Sequence, residues 1–153
     1  MTVIVASEVP PRSTPSHYPE PFASRMQGRT KRPLGEAFQL RNFGVNLTTL
    51  APGARSALHH CHSAQDEFVY ILDGEAVIVS GRDETIAGAG MCAGFRAGDT
   101  PHHLENRSER PVTYLEIGDR TAGDEVSYPD DDLVGLRVAG GWRFAHKDGT
   151  PYP

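Results

Sequence analysis

The feature that most constrains the fold of this chain is a pair of histidines two residues apart, followed five residues later by a glutamate. The pair is His60 and His62, and the glutamate is Glu67. Side chains of an extended strand alternate between two faces, so His60 and His62 point the same way. Two imidazoles and a carboxylate directed at one point suit a divalent metal. For this run alone, a set of polar surface residues remains the alternative.

Length and composition favour a single domain of short strands. The chain has 153 residues, including 16 glycines and 12 prolines, and its formal net charge is −5. That length is enough for one sizeable core, while so many turn-forming residues disfavour long helices. The negative charge argues against general nucleic-acid binding, which depends on a basic surface.

The hydropathy of the chain indicates neither a membrane partner nor export. No stretch approaches the roughly 18 to 20 apolar residues needed to span a bilayer. The apolar start, residues 1–7, is too short for a signal peptide and lacks a basic leader. We therefore expect a cytoplasmic protein.

The two cysteines do not make a disulfide framework. Cys61 lies between the two histidines, so we expect its side chain on the opposite face of the strand, as a buried packing residue. A bridge from Cys61 to Cys92 is not expected.

The chain divides into a central region of predicted strands and two arms. Residues 1–35 form a predicted N-terminal arm, residues 36–120 the β-rich domain, and residues 121–153 a C-terminal extension packed on that domain or on a partner subunit. Prolines exclude a regular helix from much of the N-terminal arm. These prolines are Pro10, Pro11, Pro15, Pro19 and Pro21.

The central region contains several short β-type patterns separated by turns. Residues 43–47 alternate apolar and polar, and residues 67–72 form a continuous run of β-forming residues. Asp73-Gly74 predicts a hairpin turn with residues 75–80 as its return strand. Turns about every 8 to 12 residues predict an antiparallel meander that forms a barrel or sandwich.

Two charged runs allow both a functional and a surface interpretation. The basic run, Arg25, Arg29, Lys31 and Arg32, could contact an anion or a partner. The acidic run at residues 130–132 could bind a cation. Charge runs are usually solvated, so we favour the surface interpretation for both.

Two motifs together resemble the signatures of the cupin superfamily. The first spans residues 53–74 and contains both histidines and Glu67; the second spans residues 98–106 and adds His102. In each motif the gap from the leading glycine to the first histidine is one residue longer than the commonest form. From about Tyr18 onward, the chain is similar to small single-domain bacterial cupins.

The resemblance implies an all-β, single-domain cupin-type β-barrel, or jelly roll, with non-regular N- and C-terminal arms. It implies one divalent transition metal held by His60, His62, Glu67 and His102. Three imidazole nitrogens and one carboxylate oxygen suit Mn, Fe, Co, Ni, Cu or Zn. An octahedral ion with four protein ligands keeps two positions for water or substrate, as a working site requires.

Two further histidines keep an alternative ligand set open. A register slip of one residue would exchange His59 with His60, or His103 with His102. Otherwise we expect His59 and His103 on the opposite face, at the surface or in an interface. Asn106 shares strand parity with His102 and is expected to stabilise the turn or support the ligands.

A metal-dependent enzyme acting on a small polar substrate is the function we favour from the sequence, of the oxygenase, isomerase or lyase type. The catalytic residues are not identified; Tyr114, Glu116 and Arg55 are candidates for the general base. The alternative is a non-catalytic or regulatory module that binds a sugar or organic acid, since one fold hosts many functions.

The expected partners are a small-molecule ligand inside the barrel and a second copy of the chain. Phe68 and Tyr70 lie on the strand face away from Glu67 and would suit the contact of a homodimer.

Overall fold

The computed structural model describes residues 2–14 and 16–153, so Met1 and Pro15 of the predicted arm lie outside the described residues. Nearly all of its regular structure is strand. The helical elements are short, comprising 3-10 turns at Ala6–Glu8 and Ala23–Met26 and helix α1 at Leu34–Ala37. The strands are β1 (Arg29–Arg32), β2 (Phe43–Leu50), β3 (Cys61–His62), β4 (Glu67–Asp73), β5 (Glu75–Ser80), β6 (Asp83–Gly88), β7 (Cys92–Phe95), β8 (His102–Glu105), β9 (Val112–Asp119), β10 (Glu125–Ser127), β11 (Val134–Val138) and β12 (Gly141–Ala145).

The strands form antiparallel sheets with the connectivity of a jelly roll. One sheet has the order β1-β2-β9-β4-β7, and two smaller sheets have the orders β12-β11-β10-β3 and β6-β5-β8. An antiparallel bridge between His60 and His102 connects the two smaller sheets. The prediction of an all-β barrel of the jelly-roll type is confirmed.

The prediction of a hairpin at Asp73-Gly74 is wrong. β4 pairs with β7 and β9, whereas β5 pairs with β6 and β8, so the turn carries the chain from one sheet to another. Gly74 has a φ of +78°, and a Cβ there would lie 2.6 Å from the Pro111 carbonyl oxygen. The turn therefore packs against a distant segment, which local turn propensity does not encode.

Both arms contain more regular structure than the sequence predicts. In the N-terminal arm, β1 pairs with β2, and Arg29 is the Cα partner of Leu50. In the C-terminal extension, β10 pairs with both β3 and β11. Near the end of the extension, β11 pairs with β12. Such strands are stabilised by pairing with distant segments, so their short local sequence patterns do not predict them.

The apolar core consists of two clusters. The first lies between the five-stranded sheet and β5, β6 and β8, and the second joins the N-terminal arm to the C-terminal extension. The first contains Leu50, Ala54, Val69, Ile71, Ala76, Ile78, Ala87, Leu104, Val112 and Tyr114. The second contains Phe22, Met26, Leu58, Val126, Tyr128 and Leu133, with Tyr18, Trp142, Phe144 and Tyr152 packed against it.

The acidic run is involved in contacts that stabilise the arms. Arg25 donates to Asp131 at 2.6 Å, which connects the first arm to the C-terminal extension. Asp132 accepts from His146 Nδ1 at 2.8 Å and from the backbone N–H of Lys147 at 2.8 Å. Asp131 and Asp132 thus contribute ion pairs and hydrogen bonds between segments of the chain, while Oδ2 of Asp131 is buried without a hydrogen-bond partner among the described residues.

The outer face of β4 exposes apolar side chains. Phe68 is 38% exposed and Tyr70 is 39% exposed, on the face opposite Glu67, as strand parity requires. The homodimer contact through these residues remains a prediction. Within the described part of the chain, no helix is long and apolar enough to cross a membrane.

Candidate metal centre

Three histidines surround one carboxylate oxygen. The Nε2 atoms of His60, His62 and His102 lie 3.2, 3.5 and 2.9 Å from Oε2 of Glu67. The ligand atoms of His60, His62 and Glu67 all lie within 4.8 Å of one another. The structure thus brings together all four residues that the sequence singles out as ligands.

Backbone pairing determines which histidines point inward. His60 and His102 are directly opposite each other, and each backbone N–H donates to the other residue's carbonyl oxygen, at 3.2 and 2.8 Å. His62 is two residues from His60 and shares its face. The ring of His60 consequently lies beside that of His102, with 4.7 Å between ring centroids.

The hydrogen bond on the far side of His60 determines its tautomer. Nδ1 lies 2.8 Å from the carbonyl oxygen of Leu58, which can only accept, so Nδ1 carries the proton. In neutral His60 the Nε2 lone pair therefore faces the carboxylate of Glu67 at 3.2 Å. Two acceptors at this distance repel each other unless a proton or a cation lies between them.

His62 is held in the same way by a buried carboxylate that the sequence analysis missed. Nδ1 of His62 donates to Oδ2 of Asp124 at 2.5 Å, and Asp124 is only 1% exposed. The other oxygen, Oδ1, accepts from the backbone N–H groups of Ala64 and Gln65 at 2.8 and 3.2 Å. Asp124 lies 57 residues beyond Glu67, and its own stretch of sequence carries no local signal for this role.

His102 is fixed by packing rather than by a carboxylate. Its ring stacks on Phe95 of β7, with 3.6 Å between centroids and 2° between the planes. Burial lowers the pKa of His102, outweighing its hydrogen bond with Glu67. His102 therefore offers a neutral imidazole, the form that binds a metal.

The charges of the site favour an ionised Glu67. Burial opposes ionisation, but the charge of His60 and hydrogen bonds from His102 and His60 outweigh it and hold the pKa of Glu67 well below its usual value. For His60, burial lowers the pKa, and the nearby Glu67 carboxylate reverses this and raises it. The site thus attracts positive charge to the point where the ligand atoms meet.

The donor set fits a divalent transition metal. His60, His62 and Glu67 could hold an ion, with tautomers already set by Leu58 and Asp124. Neutral imidazoles and a carboxylate are borderline ligands of the kind that Mn, Fe, Ni, Zn and Cu accept. The hydrogen bonds behind the rings are of the type that orients metal-binding histidines.

The ligand residues line a cavity of about 220 Å³. Tyr114 and Glu116 of β9 face this cavity, as do Tyr128 and Trp142 from the C-terminal extension. The N-terminal arm contributes a further part of the lining, which the sequence did not predict. That part consists of Arg12, Thr14, Ser16, His17, Tyr18, Arg29 and Lys31.

The three candidates for the general base have different surroundings. Glu116 accepts from Lys31 at 2.6 Å and from Asn46 at 3.0 Å, both on Oε1. Tyr114 is fully buried beside Ser56, and burial raises the pKa of its hydroxyl well above the usual value. Arg55 is not among the lining residues and donates to Glu105 at 3.0 Å.

His59 and His103 lie on the opposite face, as expected, but they are buried within the chain rather than exposed at its surface. They are 8% and 6% exposed, and their Nδ1 atoms form a hydrogen bond of 2.9 Å. Nε2 of His103 lies 2.8 Å from Glu105. In this register His60 and His102, rather than these two neighbours, face Glu67.

Two other predicted positions have structural roles. Cys61 is half-buried rather than buried, its thiol lies 2.9 Å from the Asp99 carbonyl oxygen, and both cysteines are free. Asn106 is 1% exposed and donates to the carbonyl oxygens of Leu50 and Arg110 at 2.9 and 2.8 Å. Asn106 therefore stabilises the turn that follows β8.

Comparison with known proteins gives the family of this chain. The family model described as the cupin domain matches residues 46–118. A solved structure from Silicibacter pomeroyi, named as a sugar phosphate isomerase from a cupin superfamily, is 39% identical, covers 99% of this chain and 96% of its own, and has a TM-score of 0.92.

Two other solved structures share the fold. A candidate sugar phosphate isomerase from Acidithiobacillus ferrooxidans is 28% identical over 82% of this chain and 88% of its own, with a TM-score of 0.73. The polyketide cyclase RemF from Streptomyces resistomycificus is 16% identical over 78% and 79%, with a TM-score of 0.64, which shows the fold alone. No functionally curated protein matches the sequence.

Proposed function

The chain belongs to the cupin superfamily, and from that premise we propose that it is a divalent-metal-dependent isomerase of a small polyhydroxy carbonyl compound. The proposed metal ligands are His60, His62, Glu67 and His102. The observation that carries the proposal is the convergence of three imidazole Nε2 atoms on one carboxylate oxygen in a cavity. A bound divalent ion would act there as a Lewis acid on the oxygens of the substrate.

Glu116 is the group we assign to proton transfer. On the inner face of the sheet, Glu67 pairs with Gly118 and Glu116 is two residues away, which makes Glu116 a diagonal neighbour of Glu67. Diagonal neighbours on adjacent strands are roughly 7–8 Å apart, so a small substrate bound beside Glu67 would lie within reach of the Glu116 carboxylate. Lys31 and Asn46 hold the carboxylate in place.

The reaction needs only proton movements. Glu116 takes a proton from the hydroxyl-bearing carbon next to the carbonyl and returns it to the former carbonyl carbon. The hydroxyl proton passes to the former carbonyl oxygen, so a hydroxyaldehyde and a hydroxyketone exchange without an oxidant. Proton transfer by a positioned carboxylate is worth about 10²- to 10⁴-fold in rate.

The name of the similar structure that spans nearly the whole chain supports an isomerase over an oxygenase or a lyase. The relative from Silicibacter pomeroyi, which spans nearly the whole chain, is named as a sugar phosphate isomerase. A fold alone does not establish an activity, so the isomerase assignment requires that the protein be shown to interconvert a substrate.

Solvent isotope exchange tests the proposal. Metal-loaded protein is incubated in deuterated water with a panel of aldose and ketose phosphates, and NMR follows deuterium at the carbons beside the carbonyl. We expect exchange and interconversion by the native protein and a loss of about 100-fold or more in Glu116→Gln, from the loss of general-base catalysis. The metal content of this variant stays at the native level.

Glu109→Gln is the matched control, because Glu109 is an exposed carboxylate outside the cavity lining. This variant should exchange at the native rate. If metal-loaded native protein binds these sugars yet exchanges no proton in any of them, the protein is a binding module and the isomerase assignment fails.

A further inference from the structure

Three cations line the cavity from one side. Arg29 and Lys31 are two residues apart on β1, so their side chains share the inner face. Arg12 comes from the preceding arm and lies beside β1, because its backbone N–H donates to the Lys31 carbonyl oxygen at 2.9 Å. Only two members of the basic run thus turn inward; Arg32 instead donates to the carbonyl oxygen of Val9 at 2.6 Å.

These cations exceed the negative charge at their side of the cavity. Lys31 donates to Glu116 at 2.6 Å. The carboxylates among the lining residues are Glu116 and the candidate metal ligand Glu67. The formal charges of the three cations and Glu116 therefore sum to two positive charges within the lining. Glu36 pairs with Arg12 from outside the lining, and Arg29 donates to the carbonyl oxygen of Ser56. A phosphate monoester carries about −1.5 to −2 at neutral pH, which would balance the positive charge of the lining.

A carboxylate at the rim competes for one of the cations. Nη2 of Arg12 donates to Glu36 at 2.7 Å, and the side chain of Glu36 is 55% exposed. Glu36 is not part of the cavity lining. An ion pair this exposed is weak and exchangeable, so Arg12 can turn from Glu36 to a bound anion at small cost.

The pKa of His17 supports the convergence of the cations. His17 is among the lining residues; burial lowers its pKa, and the charges of Arg12, Arg29 and Lys31 lower it further, whereas the charge of Glu36 raises it. All three cations are thus close enough to act on one imidazole. A bound anion would relieve this repulsion.

The position of the cations suits one end of an elongated substrate. β1 and β4 are three strands apart in the sheet, which is roughly 14 Å at the usual strand spacing of about 4.8 Å. Lys31 covers much of this distance, since its ammonium group contacts Glu116 on β9. A small chain of carbons would connect the cations to the candidate metal centre.

We propose that Arg12, Arg29 and Lys31 form a subsite for the phosphate group of a phosphorylated substrate. The proposal rests on the proposed function, whose substrate class it specifies. Arginine and lysine both bind phosphate, and the guanidinium groups add bidentate geometry. The N-terminal arm then belongs to the substrate site.

Calorimetric titration with inorganic phosphate tests the subsite, using the full chain both metal-loaded and after chelator treatment at constant ionic strength. We expect binding in both states, since the subsite does not need the metal. Arg12→Gln and Lys31→Gln should each raise the Kd by about tenfold or more, because each removes a cation that contacts the anion. Glu36→Gln should lower the Kd by releasing Arg12.

Arg41→Gln serves as the matched control, because Arg41 is exposed and outside the cavity lining; its Kd should equal that of the native chain. Phosphate binding that disappears on chelator treatment, or that Arg12→Gln and Lys31→Gln both leave unchanged, would overturn the subsite. Equal affinity for acetate would overturn the choice of phosphate over carboxylate. Retained phosphate binding without isotope exchange would instead reject the isomerase and keep the subsite.

Discussion

Two histidine clusters arise from the same two stretches of sequence yet differ in what surrounds them. His60, His62 and His102 point into the cavity, and their Nε2 atoms meet at Glu67. Their neighbours His59 and His103 lie on the opposite face and bond to each other. Strand alternation alone separates the clusters, since each residue is one position from its counterpart.

The two clusters differ in how their ring nitrogens are hydrogen-bonded. In the outer cluster, His103 has a protein partner on each ring nitrogen, His59 at 2.9 Å and Glu105 at 2.8 Å. In the inner cluster, Nδ1 of His60 and of His62 is occupied, and the Nε2 lone pairs face the same oxygen. In the outer cluster both ring nitrogens of His103 have protein partners, whereas the inner cluster needs a proton or a cation between the ring nitrogens and the Glu67 carboxylate.

The largest expected effect follows from removing one histidine of each cluster. His60→Ala should weaken divalent-metal binding by about 100-fold or more, because it removes a direct ligand, and that exceeds the loss typical for supporting residues. His59→Ala should leave the metal content at the native level. Elemental analysis of both variants, purified without chelator, gives the measurement.

The control variant His59→Ala should keep its metal but lose stability. His59→Ala leaves the buried Nδ1 of His103 without its partner, which costs about 1–3 kcal/mol in free energy of unfolding. Chemical denaturation of the metal-free variants measures this cost. Full metal content in His60→Ala, or metal loss in His59→Ala, would mean that the wrong cluster has been assigned to the metal.

A pH titration should affect the inner cluster next most strongly. Glu67 raises the pKa of His60 despite its burial, so His60 takes up a proton before His102 as the pH falls. Burial lowers the pKa of His102, and that ring stays neutral to lower pH. Since a proton on His60 competes with the metal, affinity should fall by up to about tenfold per pH unit, and the fall should begin above the ordinary imidazole pKa of roughly 6.5 because the pKa of His60 is raised.

Competition with a metal-binding dye at fixed ionic strength measures this dependence. The Glu67 carboxylate stays ionised across the range, because its pKa lies well below the usual value. Affinity that is flat from pH 7 to pH 5, in protein that remains folded by circular dichroism, would argue against imidazole ligation.

The smallest predicted effect concerns the carboxylate behind His62. Asp124→Asn removes the charge that orients His62, and such supporting residues are worth about 10- to 100-fold in metal affinity. Asp119→Asn is the control, because Asp119 accepts from the backbone N–H groups of Asp66 and Thr121 at 2.9 and 2.8 Å. Equal affinities in the two variants would show that Asp124 only supports the loop.

Local patterns predicted the parts of the site that lie within one stretch. His60 and His62 share a face because of strand parity, and Glu67 begins the following strand. The same reasoning placed Phe68 on the outer face of β4. It failed at Gly74, where a typical hairpin dipeptide instead connects two sheets.

The parts that escaped prediction come from distant segments. Asp124 reaches His62 through the pairing of β10 with β3, and Phe95 stacks on His102 from β7. Arg12 enters the cavity from an arm that the prolines marked only as irregular. No local sequence pattern predicts these contacts, because nothing in the residues around Asp124, Phe95 or Arg12 distinguishes them from other surface or strand residues.

The sequence by itself determined the β-rich character of the chain, the shared face of His60 and His62, and the family signatures around them, since all depend on spacing along one chain segment. Only the tertiary structure decided that Asp124 lies behind His62 and that Arg12 shares a cavity with the histidines. These depend on which strands pair, and strand pairing is set by the burial of side chains contributed by the whole chain.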